Sequence, residues 1–303
     1  MQRFLLELVP CLLAGVVAGR LWPWLPGRLA PPLIRWGVPM AMVGMILRTP
    51  LDGQLLDSAL IALLLCGGAL ALVLAPGPWR RWLPAGPLAL GMVVGNTAYW
   101  GVPVATALLP AEALPHAITL DLVGTLLTWS LGPVVLTAGL GAEAVAPGMG
   151  RLLPTLLGSP AAQGLLIALP LQASPWAEPL AQWLWLPARL LMLLALSLVG
   201  MRLGCLPAPA AAPPPPEPGP GLPLALIGKL VVLPALALGL SLAFDLAAPL
   251  RAALVLQAAA PTAVSVLLLA EAHRARSDQA ARLVLWSTGL ALVTVPLWAL
   301  ILR

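Results

Sequence analysis

Charge is scarce in this sequence. Asp, Glu, Lys and Arg make up 9% of its 303 residues, against about 25% in soluble domains. Lysine occurs once, at Lys229. So few polar groups cannot coat a water-soluble globule of this size, which excludes a cytosolic enzyme, a secreted scaffold and a disordered chain. The three cysteines, Cys11, Cys66 and Cys205, are far apart in apolar segments. They form neither a disulfide framework nor a metal-ligand spacing. His116 and His273 belong to no H-E-x-x-H arrangement, and there is no G-x-S-x-G elbow, phosphate-cradling loop or paired-Asp motif. The chain therefore offers no nameable catalytic constellation, metal site or cofactor motif, and the expectation is that it is not an enzyme. No basic run exceeds Arg80-Arg81, so the net charge of +5 is no footprint for nucleic acid.

What is there is hydrocarbon: 60% apolar residues and a mean hydropathy of +0.98. This is the composition of an all-α polytopic membrane protein, with the lipid bilayer as its solvent. Charges and Pro/Gly clusters divide the chain into ten candidate spans: 4–21, 32–48, 54–75, 86–109, 116–140, 153–172, 181–203, 223–244, 249–270 and 280–302. The first lacks a clean small-x-small cleavage site, and Arg20, Trp22 and Trp24 mark an interface, so it reads as a span and not a leader. With the N-terminus outside, the cytoplasmic loops collect 11 basic residues and the outer side 4, a positive-inside bias that puts both termini outside the cytoplasm. Arg189 falls inside span 7 and Arg202 counts with the cytoplasmic residues.

Between Pro207 and Pro223 lie nine prolines, including Pro213–Pro216, with one charge at Glu217. This segment, 207–223, reads as an extended cytoplasmic linker. The two halves repeat. Val43-Gly44-Met45-Ile46-Leu47 in span 2 answers Val199-Gly200-Met201-Arg202-Leu203 in span 7, and Pro103 in span 4 answers Pro261 in span 9 at nearly the same offset. Five spans per repeat is an odd number, so the second copy (143–303) enters the membrane upside down relative to the first (1–142). Inverted repeats of this kind are a transporter architecture.

The chemistry concentrates at Gly95-Asn96-Thr97-Ala98-Tyr99-Trp100-Gly101-Val102-Pro103, mid-span 4. Pro103 opposes an unbroken helix and the glycines let the backbone leave it. Opened backbone at membrane depth is tolerated only where it lines a cavity or is buried in protein. Asn96 and Thr97 supply an amide and a hydroxyl there. A half-helix starting near Pro103 would aim its positive end at the same point, which suits an anion. Span 9 holds the counterpart, Gln257-Ala258-Ala259-Ala260-Pro261-Thr262 and then Ser265. A plain proline kink is the alternative at both places.

Intramembrane charge is sparse. Asp121, with Thr125 and Thr128 on its helix face, is a candidate for carrying a proton or ligating sodium, or else an interfacial carboxylate open to outside water. Asp57 is a further ion-coupling candidate, with an interfacial reading beside it. Lys229 and Arg189 lie near enough to an interface to snorkel, Lys229 being the better counter-charge for an anion.

At Asn96-Thr97 followed by Gly101-Val102-Pro103, at Gln257 to Thr262 with Glu271 and Asp278, and at Ser287-Thr288 with Pro296, the sequence resembles the auxin efflux carrier family of membrane transport proteins, its bacterial branch in particular. Asp57-Ser58 is similar to an Asp-Ser pair of the plant branch, but Ile61 stands where a lysine is expected, and the long hydrophilic loop of plant members is replaced by a short segment around Glu143 and Arg151. The resemblance implies ten helices, broken helices 4 and 9 crossing at Pro103 and Pro261, and a scaffold of spans 1, 2, 6 and 7, often a homodimer interface. It also implies a bacterial cytoplasmic (inner) membrane permease for a small organic anion, a mono- or dicarboxylate such as malonate or malate. Asn96, Thr97, Gly101, Pro103, Gln257, Pro261 and Thr262 are then the expected substrate site, and H+ or Na+ the coupling ion through Asp121, Asp57 or Lys229. Two alternatives stand beside this: a sodium-coupled symporter of the bile-acid type, with Asp121 and Gln257 as ion ligands, and a membrane sensor or scaffold that transports nothing.

Overall fold

The computed structural model describes residues 4–48, 54–137, 157, 160–205 and 221–302. The linker prolines from Pro207 to Pro220, the segment around Glu143 and Arg151, and the boundary between the expected repeats lie outside the described residues. Among the described residues there is no strand. The described residues form twelve principal helices: α1 (4–21), α2 (Leu25–Ile46), α3 (54–74), α4 (Gly86–Val93), α5 (97–108), α6 (Leu114–Thr137), α7 (Pro160–Gln172), α8 (Ala177–Cys205), α9 (Leu222–Ala243), α10 (Ala248–Ala259), α11 (Val264–Ala272) and α12 (Ser277–Ile301).

Among the described residues, six helical stretches are long and apolar enough to cross a bilayer: Leu25–Ile46, Leu55–Leu74, Ala111–Leu136, Ala177–Cys205, Leu222–Ala243 and Ser277–Ile301. Large apolar side chains such as Leu60, Leu186, Leu236 and Val293 stand exposed on them. Hydrocarbon tolerates such faces and water does not. Trp22, Trp24, Trp82 and Trp176, at or beside helix ends, are exposed as well, as interfacial aromatics are.

Proline shapes these helices in a recurring way. The turns Phe4–Leu8, Leu33–Gly37, Thr97–Gly101 and Gly228–Val232 are π-helical, and each ends two residues before a proline: Pro10, Pro39, Pro103 and Pro234. The ring clashes with the carbonyl four residues back and removes one donor. Widening the preceding turn relieves the clash without ending the helix.

Packing falls into two groups. α1 and α2 pack with α8, and α7 packs with α2, while α3, α6, α9, α10, α11 and α12 pack among themselves and around α4. The α1–α8 contact is backbone to backbone: a Cβ on Gly15 would land on the Ser197 carbonyl, and one on Gly200 on the Leu12 carbonyl. Gly44 makes the equivalent approach of α2 to α8, where a Cβ would come 2.8 Å from the Ala188 Cβ. The repeated Val-Gly-Met triplets therefore serve close helix approach.

One expectation is corrected. The helix of span 4 does not open at Pro103 but at Val94–Asn96, between α4 and α5. Pro103 lies midway along α5, two residues after the π-turn Thr97–Gly101. The π-turn before it absorbs the clash, so the opening falls where Gly95 relaxes the backbone. In span 9 the opening does include the proline: the helix stops at Ala259, crosses Ala260–Ala263 extended, and resumes at Val264.

Candidate functional site

The two openings meet. Gly95 and Thr262 form an antiparallel bridge, flanked by Asn96 N–H donating to Pro261 O at 2.7 Å and Ala263 N–H donating to Val94 O at 3.1 Å. Each interrupted helix thus satisfies the other's freed backbone groups. Side chains complete the pairing. The Thr262 hydroxyl donates to Gly91 O at 2.9 Å, and Thr262 N–H donates to the Ser287 Oγ of α12 at 3.0 Å. The crossing therefore joins Gly95-Asn96 to Pro261-Thr262, and Pro103 takes no part in it. Pro103 lines a separate cavity of about 40 Å³ with Glu7 and Arg189.

Around the crossing the polar groups are buried and incompletely partnered. Thr97 has one hydroxyl hydrogen. It goes to Asp121 Oδ1 at 2.6 Å and not to Gly95 O at 3.5 Å. Asp121 is 1% exposed, which rules out an interfacial carboxylate open to outside water; its Oδ2 has no partner. Gln257 on α10 donates through Nε2 to Ala117 O at 2.8 Å and leaves Oε1 unpartnered, as Asn96 leaves Nδ2. Lys229 is also 1% exposed. It does not snorkel, and its ammonium donates to Ala258 O at 2.7 Å. Native interiors leave few polar atoms unpaired; here three lie on groups of the crossing.

Beside the crossing lies a cavity of about 220 Å³. Asn96, Thr97, Asp121, Thr125, Thr128 and Ser265 bring polar groups to it, and Tyr99, Trp129, Leu198, Val199, Val264 and Leu268 wall it. It runs from the openings toward the C-terminal ends of α6, α8 and α11. A second space of about 40 Å³, on the other side of Gly95 and Thr97, is lined by Lys229, Gln257, Cys66 and Thr128.

Of the seven expected substrate residues, Asn96 and Thr97 line the large cavity and Gln257 the small one. Pro261 and Thr262 build the crossing through hydrogen bonds. Gly101 serves packing: a Cβ there would collide with Gln257 Oε1. Asp57 is exposed at the start of α3. Its neighbour Ser58 is fully buried, with its hydroxyl 2.7 Å from Nδ1 of His116. His116 itself is 4% exposed, inside α6. Arg189 is half-buried and paired with Glu7 of α1.

Sequence reasoning missed Arg202. Counted with the cytoplasmic loops, it lies in the last turn of α8 and lines the large cavity. The signal was present in the repeat: Arg202 is the one position where Val-Gly-Met-Arg-Leu departs from Val-Gly-Met-Ile-Leu.

Residues 219–303 match the Sodium Bile acid symporter family. The matched part contains α9 to α12, and so Lys229, Gln257, the span 9 opening and Ser287. No curated protein matches the chain. The match is to a family related to the auxin efflux carriers, not to the auxin carriers themselves. Together with the apolar helices it points to a multi-pass membrane protein of the transporter class, similar over its C-terminal part to the sodium bile acid symporters.

Proposed function

We propose that this protein is a secondary-active transporter for a small organic anion, working by alternating access around the crossing of α4–α5 with α10–α11. The observation that carries the reading is the antiparallel pairing of two interrupted helices beside a polar-floored cavity. Helix pairs broken in this way are how transporters hold substrate at the bilayer midplane. In this reading α4 with α5 and α10 with α11 are each one interrupted crossing. With α1, α7 and the six long helices they make ten spans, arranged as two inverted repeats. The N-termini of α5 and α11 supply positive potential at the crossing. Arg202 adds a fixed positive charge at the cavity end that the positive-inside bias assigns to the cytoplasm. A volume near 220 Å³ compares with the roughly 150 Å³ apolar cavity that holds a benzene-sized ligand. That favours a small mono- or dicarboxylate such as malonate or malate over a steroid.

A second reading is sodium coupling of the bile-acid type. The match over residues 219–303 supports it better than it supports an auxin-type carrier. The unpartnered Asp121 Oδ2 and Gln257 Oε1 are the oxygens a hard cation would take. Uptake of radiolabelled carboxylates and taurocholate into proteoliposomes, with sodium or choline outside, tests both readings. Saturable uptake of a small carboxylate in choline supports the first. Uptake that vanishes without sodium supports the second, and no uptake of any anion in either medium contradicts both.

A further inference from the structure

Lys229 is the one lysine of the chain, and neither reading above gives it a task. Its turn, Gly228–Val232, is π-helical ahead of Pro234, which sets the side chain on the face of α9 turned to the crossing. The helix it meets, α10, stops at Ala259, so its last carbonyls have no N–H one turn on. Gln257 O accepts from Ala260 N–H. Ala258 O accepts from Lys229 Nζ at 2.7 Å, and this is the ammonium's hydrogen bond among the described residues. It also lies beside the other interrupted helix. A Cβ on Gly95 would stand 3.1 Å from Nζ and 3.5 Å from Gln257 O, so a residue without a side chain lets the charge reach the bridge itself. Asp121 does not pair with it: the carboxylate's second oxygen is unpartnered, and the ion pair among the described residues is Arg189–Glu7.

We infer that the Lys229 ammonium is a tethered resident cation of the crossing. It holds the negative end of α10 against Gly95 in the way a bound metal ion would neutralise unwound carbonyls in a transporter. The charge is covalent, so this face of the crossing stays assembled without a metal ion, and Asp121, which lines the large cavity and not the Lys229 space, is left free for a coupling ion. Gly95 and Thr97 line both the Lys229 space and the large cavity, so the same charge adds to the potential that an anion meets there.

The test is the melting temperature of the detergent-purified full chain, which does not depend on transport and so fails or succeeds apart from the proposed function. Lys229→Ala removes four heavy atoms and the charge; Lys229→Met keeps most of the bulk and removes the charge. Both are expected to melt lower, by about 5 °C or more. Lys229→Ala is expected to regain much of the loss in n-propylammonium chloride, which replaces the missing atoms, and not in n-propanol of the same size at equal ionic strength. Sodium chloride is expected to restore part of it relative to choline chloride. If Lys229→Ala does not fold, Lys229→Met alone decides. Melting of Lys229→Met at the wild-type temperature, or rescue by n-propanol equal to that by n-propylammonium, overturns the proposal, because the side chain would then act by bulk alone.

Discussion

Thr97 and Asp121 form a demanding pair, because one hydroxyl hydrogen serves a carboxylate that is 1% exposed. Thr97→Val keeps the shape and leaves both Asp121 oxygens without a donor. A buried group stripped of its partner costs about 1–3 kcal/mol, more when charged, so the variant should melt lower, while Thr97→Ser should melt near wild type. A steric prediction belongs at the same scale. Gly101→Ala pushes a methyl group into Gln257 Oε1, and overpacking of this kind costs about 1–3 kcal/mol. Adding Gln257→Ala clears the space, so the double variant should melt higher than the sum of the single losses predicts, a coupling of roughly 0.5–3 kcal/mol. Strict additivity in the melting temperatures would show that the two residues do not press on one another.

The interrupted helices show what could be read ahead of the structure and what could not. Gly95, Asn96 and Pro261, in apolar runs, announced that spans 4 and 9 open, because few other arrangements satisfy such a backbone in hydrocarbon. The place of the opening in span 4 was not legible. Pro103 has two ways to relieve its clash, breaking the helix or widening the turn before it, and tertiary pairing with Pro261 and Ala263 decides between them. Burial was equally hidden at Lys229, Asp121 and His116, since distance from a span end says nothing about what packs around a side chain. These facts separate the two prolines. Pro103→Ala restores a donor inside an existing helix and should retain most of the uptake activity. Pro261→Ala gives the extended segment Ala260–Ala263 an extra N–H and lets α10 run on into α11, so its uptake should fall by tenfold or more, or about 1.4 kcal/mol in the working state. Equal uptake by the two variants would contradict this placement.

For the whole molecule, the two packing groups and the cavity between α8 and the crossing suggest one body that rocks against another. The α1–α8 contact is close enough that this pair should move as a unit. Gly200→Leu, whose side chain would run into the Leu12 carbonyl and drive α1 away from α8, should lower the melting temperature without changing which anion binds. The central claim is that the crossing is where the anion sits. The measurement that tests it most directly is the anion-dependent melting shift of the detergent-purified protein, run on wild type and on Asn96→Ala over a panel of mono- and dicarboxylates. A ligand bound at 100 times its Kd stabilises the folded state by about 2.7 kcal/mol. The account predicts a dose-dependent rise with at least one small carboxylate in wild type, and its loss in Asn96→Ala at an otherwise similar starting stability. The same rise in both proteins would place the anion elsewhere and contradict the account.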